Sequence, residues 1–125
     1  MRSRQVILFC IFVMPFVGCS QLEKEPVVLI ESLSAKEIYD LGEISLNDEK
    51  HEKAAEYFGE IERLYPYSEW AKRGLIMQAF SFHRGLDYPN SRSSAQRYIN
   101  FYPASADAAY AQYILALSYY DQIAN

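Results

Sequence analysis

The feature that most constrains this chain is that it repeats itself. Leu64-Tyr65-Pro66 returns as Phe101-Tyr102-Pro103, a shift of 37 positions. At the same shift Ala54 falls on Ser91, Gly42 on Ala79, Ile61 on Tyr98 and Ile38 on Leu75, while Ala116 takes the place of Gly42 in a third copy. Small residues thus recur at two fixed places, large apolar residues surround them, and a proline closes each unit. A period of this length marks a supersecondary unit that cannot bury its apolar face alone and must stack on its neighbours.

The units are helical. Ser34 with Glu37 three residues on forms a capping box, after which Ala35, Ile38, Leu41, Gly42 and Leu46 recur at helical spacing. Asn47-Asp48-Glu49-Lys50 reads as a polar turn, and a second helix carries Ala54, Phe58, Ile61 and Tyr65 up to Pro66. Ser68 is placed to cap a third helix, with Leu75, Ala79 and Phe82 on one face. Residues 85–90 (GLDYPN) read as a turn, a fourth helix runs through Ala95, Tyr98, Ile99 and Tyr102 to Pro103, and a fifth starts near Asp107. No stretch alternates as a strand does, so the expected class is all-α. The small, large and proline positions resemble the tetratricopeptide repeat (TPR), whose period is about 34 residues. The expected architecture is a solenoid of helix hairpins, two complete repeats plus the first helix of a third. The three surplus residues per unit fall near Glu69-Trp70-Ala71, where they should lengthen a turn or a helix start. A solenoid end needs a polar cap, and the last helix here is apolar and aromatic, so the TPR domain of residues 34–125 is expected to be a truncated piece of a longer array.

The first residues belong to something else. Arg2 and Arg4 precede an uncharged apolar run, Val6 to Val17, too short for the roughly 20 residues of a spanning helix and suited to a signal peptide. It ends Phe16-Val17-Gly18-Cys19, the form of a lipoprotein signal with Phe16 where Leu is usual. The expectation is a lipoprotein signal peptide at 1–18 and a Cys19 carrying diacylglycerol and an N-terminal acyl group such as palmitate. Residues 19–33, with Pro26 and no clear helical period, would be the lipidated tether. Without residues 1–18 the chain keeps no thiol but Cys19, and ten Lys plus Arg face sixteen Asp plus Glu. An acidic exported chain without disulfides holds itself by packing alone and attracts neither nucleic acid nor anionic lipid by charge.

Three segments carry a closer resemblance: Ala54-Ala55-Glu56-Tyr57-Phe58, Tyr65 to Ala71 (YPYSEWA), and Tyr110-Ala111-Gln112-Tyr113 followed by Ala116 to Ile123 (ALSYYDQI). Together they resemble the BamD family, the lipoproteins of the β-barrel assembly machinery, in its N-terminal part. Ser20 after the cysteine is similar to lipoproteins sorted to the outer membrane. The resemblance implies a non-enzymatic scaffold subunit at the periplasmic face of the outer membrane, lipid-anchored, whose partners are other barrel-assembly subunits and unfolded outer-membrane protein clients. Family geometry would line the groove with Lys36, Tyr39 and Glu43 from the first unit, Arg73, Ile76, Phe80 and Arg84 from the second, and Tyr110, Tyr113 and Tyr120 from the third. Tyr67 and Trp70, between units, join them as protein-binding candidates. An aromatic groove with two arginines suits an extended peptide ending in an aromatic residue and a carboxylate.

The remaining chemistry is sparse. His51 and His83 lack ligand spacing with other donors, no Ser/His/Asp or Cys/His arrangement stands out, and the five glycines are scattered rather than gathered in a phosphate loop. No catalytic residue, metal, small-molecule substrate or cofactor beyond the Cys19 lipid is expected. The competing reading is another periplasmic TPR adaptor, such as a cell-division coordinator of the Tol type; such proteins carry a coiled coil first, for which the tether leaves no room.

Overall fold

A computed structural model describes residues 29–124; the signal segment, Cys19 and most of the tether lie outside them. A single 3-10 turn, Ile30–Ser32, leads into five α-helices: α1 (Ala35–Asn47), α2 (His51–Leu64), α3 (Glu69–Arg84), α4 (Tyr88–Phe101) and α5 (Ala108–Ala124). The described residues contain no strand, and no helix among them is long and apolar enough to cross a membrane.

The period is visible in the backbone. Tyr65 and Tyr102 end α2 and α4 with nearly the same dihedrals, φ −134° and −130°, and each N–H donates to the carbonyl four residues back at 2.8 Å. Glu49 and Leu86, one period apart, both adopt positive φ, 60° and 62°. A left-handed non-glycine residue costs roughly 1–2 kcal/mol, and here the cost recurs because the tight hairpin turn demands that conformation. Leu86 is exposed, so Leu86→Gly loses little packing and relieves the strain. We expect it to raise stability by up to about 1 kcal/mol in urea unfolding, the larger unfolded-state entropy of glycine offsetting the rest.

Local signals explain the helix ends. The Ser34–Glu37 capping box forms as read, with Ser34 N–H donating to the Glu37 carboxylate at 2.8 Å. The Ser34 hydroxyl, donating to the same carboxylate at 2.6 Å, and then this N–H hold the Glu37 carboxyl below its ordinary value. Ser68 caps α3, accepting from Ala71 N–H at 3.0 Å. The turn expected over residues 85–90 is shorter than read. Asp87 is the N-cap of α4, accepting from Asn90 N–H, so Tyr88, Pro89 and Asn90 are already helical. Proline fits there because the first-turn N–H it lacks would have had no partner. The surplus residues of the second unit went to a helix start: α3 has 16 residues against 13 in α1, and Glu69-Trp70-Ala71 form its first turn. At the other boundary, the folded part begins a few residues before Ser34. The Tyr65 hydroxyl donates to the Leu33 carbonyl at 2.5 Å, Arg63 pairs with Glu31 at 3.2 Å, and Leu33 packs on the first core.

Two cores follow, one per unit. Ala35, Ile38, Ala54, Phe58, Ile61 and Ala71 form the first; Leu75, Ile76, Ala79, Ala95, Tyr98, Ala111 and Ile114 form the second, and Met77 packs against both. Gly42 makes the first hairpin possible by lying under the Phe58 ring: a Cβ there would sit 2.6 Å from Phe58 Cε1. Gly42 is therefore paired with Phe58, one turn beyond Ala54. Each helix packs on its sequence neighbours, and α1 also touches α3, as α3 touches α5, whereas α2 and α4 have no comparable contact. The odd-numbered helices thus form one closely spaced layer and the even-numbered ones a wider layer. A stack with one layer tighter than the other curves toward the tighter side, which puts α1, α3 and α5 on the inner surface.

Candidate peptide-binding trough

The inner layer carries an aromatic cluster built from both units. Tyr39 of α1 stands at 5.1 Å from the Trp70 ring of α3 and 5.2 Å from Phe58 beneath, centroid to centroid. Arg73 lies one turn after Trp70 on α3, and its guanidinium rests over the indole at 5.1 Å, with Lys36 Nζ at 5.9 Å. Trp70 reaches this place because it occupies, one period on, the position of Leu33, which packs on the same core. Burial pushes the Tyr39 phenol above its ordinary value; Glu43 and Asp40 push the same way and Arg73 opposes. The hydroxyl therefore stays protonated and able to donate at neutral pH.

The arginines sort by layer. On the even helices Arg63 pairs with Glu60 and Glu31, Arg97 pairs with Glu62, and Arg92 bonds Gln122 and covers Tyr119. Arg73 and Arg84, both exposed on α3, make no ion pair among the described residues. They stand eleven residues apart on one stripe, about 16 Å along the axis, which an extended peptide of five residues spans. A cation held only by stacking on an indole, worth about 0.5–1 kcal/mol at an exposed site, keeps its N–H groups free for a carboxylate.

The other candidates divide. Phe80 is half-buried against the second core, and Tyr110 and Tyr113 are exposed and stacked on each other at 6.3 Å, with burial and Tyr113 pushing the Tyr110 phenol up. Ile76 does not line the trough: it is 8 % exposed within the second core, because its side of α3 turns in against α4 and α5. Tyr67 is also outside it. It projects from the turn after α2, fully exposed, and makes no ring contact among the described residues. Sequence reasoning did not find the tie between α3 and α5, where His83 Nε2 and Asp121 Oδ2 lie 2.9 Å apart, nor the buried hydroxyl chain from Ser118 through Ser91 to the Ala79 carbonyl, each step 2.9 Å. Buried serines in an apolar period were the available signal. Among the described residues no group of three His, Cys, Asp or Glu side chains is placed to hold a metal ion.

Stacked helix hairpins with a curved, partly aromatic inner face define a TPR-like helical repeat protein. Residues 31–125 match the family model YfiO, described as "Outer membrane lipoprotein", and the chain belongs to that family. It is 34% identical over 106 residues to a protein named outer membrane protein assembly factor BamD from Caulobacter vibrioides, covering 85% of this chain and 35% of that one. A protein of the same name from Rickettsia prowazekii is 40% identical over 83 residues, 66% of this chain and 33% of its own length. A third from Pasteurella multocida is 22% identical over 89 residues, with 71% and 34% covered. The chain thus spans about a third of the length of these relatives.

Proposed function

We propose that this chain is the N-terminal part of a scaffold subunit for outer-membrane β-barrel assembly, anchored to the periplasmic face of the outer membrane by lipid on Cys19. Its inner trough captures the terminal segments of unfolded outer-membrane clients. The observation that carries the reading is the pair of arginines without an ion pair among the described residues, Arg73 and Arg84, on the one helix whose first turn also supplies Trp70. An aromatic side chain of the client buries against Tyr39 and Trp70 while one arginine takes its carboxylate bidentately. Other barrel-assembly subunits are its further partners, as the relatives' name suggests. The role is non-enzymatic, as the relatives' name of assembly factor suggests. The domain division, signal 1–18, tether from Cys19 and TPR domain from Ser34, belongs to the same proposal.

The test is binding of a labelled peptide with a C-terminal aromatic residue and free carboxylate. Arg73→Glu combined with Arg84→Glu is expected to weaken binding at least tenfold, since it replaces an attractive contact by repulsion. Affinity unchanged in that double variant removes the trough from the proposal. Metabolic labelling with palmitate tests the anchor separately, and unlabelled, soluble protein overturns it.

A further inference from the structure

The three inner helices run parallel. Lys36 and Tyr39, early in α1, meet Trp70 and Arg73, early in α3, while His83, late in α3, meets Asp121, late in α5. The trough therefore has two unlike ends, and the partially positive N-terminal ends of its helices lie together at the first. Hydrogen-bond donors converge there. The Arg73 guanidinium rests over Trp70 at 5.1 Å, within electrostatic reach of the Tyr39 phenol, which burial keeps protonated. The Asp40 carboxylate is engaged by Lys36 Nζ at 2.7 Å, and Glu37 is engaged in the capping box. Glu69, one turn before Arg73, stands at the very start of α3, where the helix amides offset its charge. Toward the other end carboxylates face the trough. Asp121, one period after Arg84, lies 2.9 Å from His83, the residue preceding Arg84. Glu43, exposed on α1 one turn past Tyr39, stands on the way there, and the C-terminal helix ends add partial negative charge.

We infer that the trough takes its client in one direction only: the C-terminal carboxylate seats between Arg73 and the Tyr39 hydroxyl, and the chain runs along α3 toward Arg84. The inference rests on the trough reading above and adds which arginine reads the terminus. A guanidinium laid on an indole is pre-organised, so it loses little freedom in gripping a carboxylate with two N–H groups. The phenol supplies a further donor from the facing helix. A carboxylate brought instead to Arg84 meets the like charges of Glu43 and Asp121, which set the wrong direction at a disadvantage. Arg84 serves the client upstream, bonding to backbone carbonyls about five residues before its terminus. Tyr39 thereby does two things, as a ring against Trp70 and as a hydroxyl toward the carboxylate.

The experiment uses the full chain and one peptide with an aromatic last residue, made once with a free C-terminal carboxylate and once as the carboxamide. The native chain is expected to prefer the carboxylate by about tenfold or more, the scale of a charge-assisted bidentate contact. Arg73→Gln is expected to bring that preference within about twofold, whereas Arg84→Gln weakens both peptides alike and keeps it. Both arginines are exposed, so neither substitution disturbs a core. Tyr39→Phe keeps the ring and is expected to lower the preference in part. A second readout needs no substitution. Trp70 is the one tryptophan of the chain, so a nitroxide on the peptide's penultimate residue is expected to quench its emission more than one on the first residue. A preference absent from the native chain, surviving Arg73→Gln or lost in Arg84→Gln overturns the direction and leaves the trough as the site; stronger quenching from the first residue does the same. Peptide that does not bind, or whose affinity is untouched when both arginines are changed to Glu, overturns the trough and this inference together.

Discussion

Phe58→Ala is expected to lower stability by about 3–5 kcal/mol, the usual cost of emptying a fully buried aromatic site. Phe58 is 0 % exposed and bridges three helices: its ring covers Gly42 of α1 and meets Tyr39, and its carbonyl lies 3.0 Å from where a Cβ on Gly74 of α3 would stand. The side chain therefore holds α1 to α2 within the first hairpin, while its backbone lies close against α3. The second unit solves the same crossing differently, with Ala79 and Ala95 one period after Gly42 and Phe58, both fully buried. This predicts a change of sign. In the native chain Gly42→Ala forces the Phe58 ring to move and costs roughly 1–3 kcal/mol, less the gain of about 1 kcal/mol from replacing a mid-helix glycine. In the Phe58→Ala background the ring is gone, and the same Gly42→Ala substitution should stabilise. Urea unfolding of the four proteins gives the coupling; additive effects would show that Gly42 and Phe58 do not share a seam.

How much of this was legible before any coordinates depended on how local the signal was. The period was fully legible, because small residues and closing prolines are forced by close helix crossings and chain reversal, and these leave the same residues at the same spacing. The capping of α1 and α3 was legible for the same reason: Ser34 and Ser68 act on backbone three residues away. The start of α4 was misread because Pro89 and Asn90 serve equally in a turn and in a first helical turn, and only Asp87 acting as N-cap decides between them. That Gly42 lies under the Phe58 ring was not legible, since a repeat pattern gives the faces of two helices but not their offset along the seam. At the trough, the repeat placed Arg73 and Arg84 on one stripe. It could not separate Ile76, which the crossing of α3 with α4 and α5 buries, or Tyr67, which the turn turns outward. Those depend on how a helix is rotated and which way a turn points, which periodicity does not resolve.

Trp70→Ala is expected to weaken peptide binding more than any other single truncation in the trough, by tenfold or more, or at least about 1.4 kcal/mol, as aromatic anchors at the centre of an interface commonly do. Three contacts meet on its ring, from Tyr39, Arg73 and Lys36, so its loss removes the apolar wall and frees the Arg73 guanidinium at once. Trp70→Phe separates the two effects. It keeps a flat ring for Tyr39 but offers a weaker face to the cation, and it should recover most of the affinity if burial dominates and little if Arg73 must be held in place. The chain has one tryptophan, so the native protein reports its own occupancy: a bound peptide that excludes water from the ring shifts Trp70 emission to shorter wavelength and protects it from soluble quenchers. Tyr67→Ala serves as the contrast, for Tyr67 shares the loop after α2 with the start of α3 but touches no ring of the cluster. Peptide affinity that falls as far in Tyr67→Ala as in Trp70→Ala would place the client at the stack's edge rather than in its curve, and would take the aromatic cluster out of recognition. Unchanged Trp70 emission at saturating peptide would do the same.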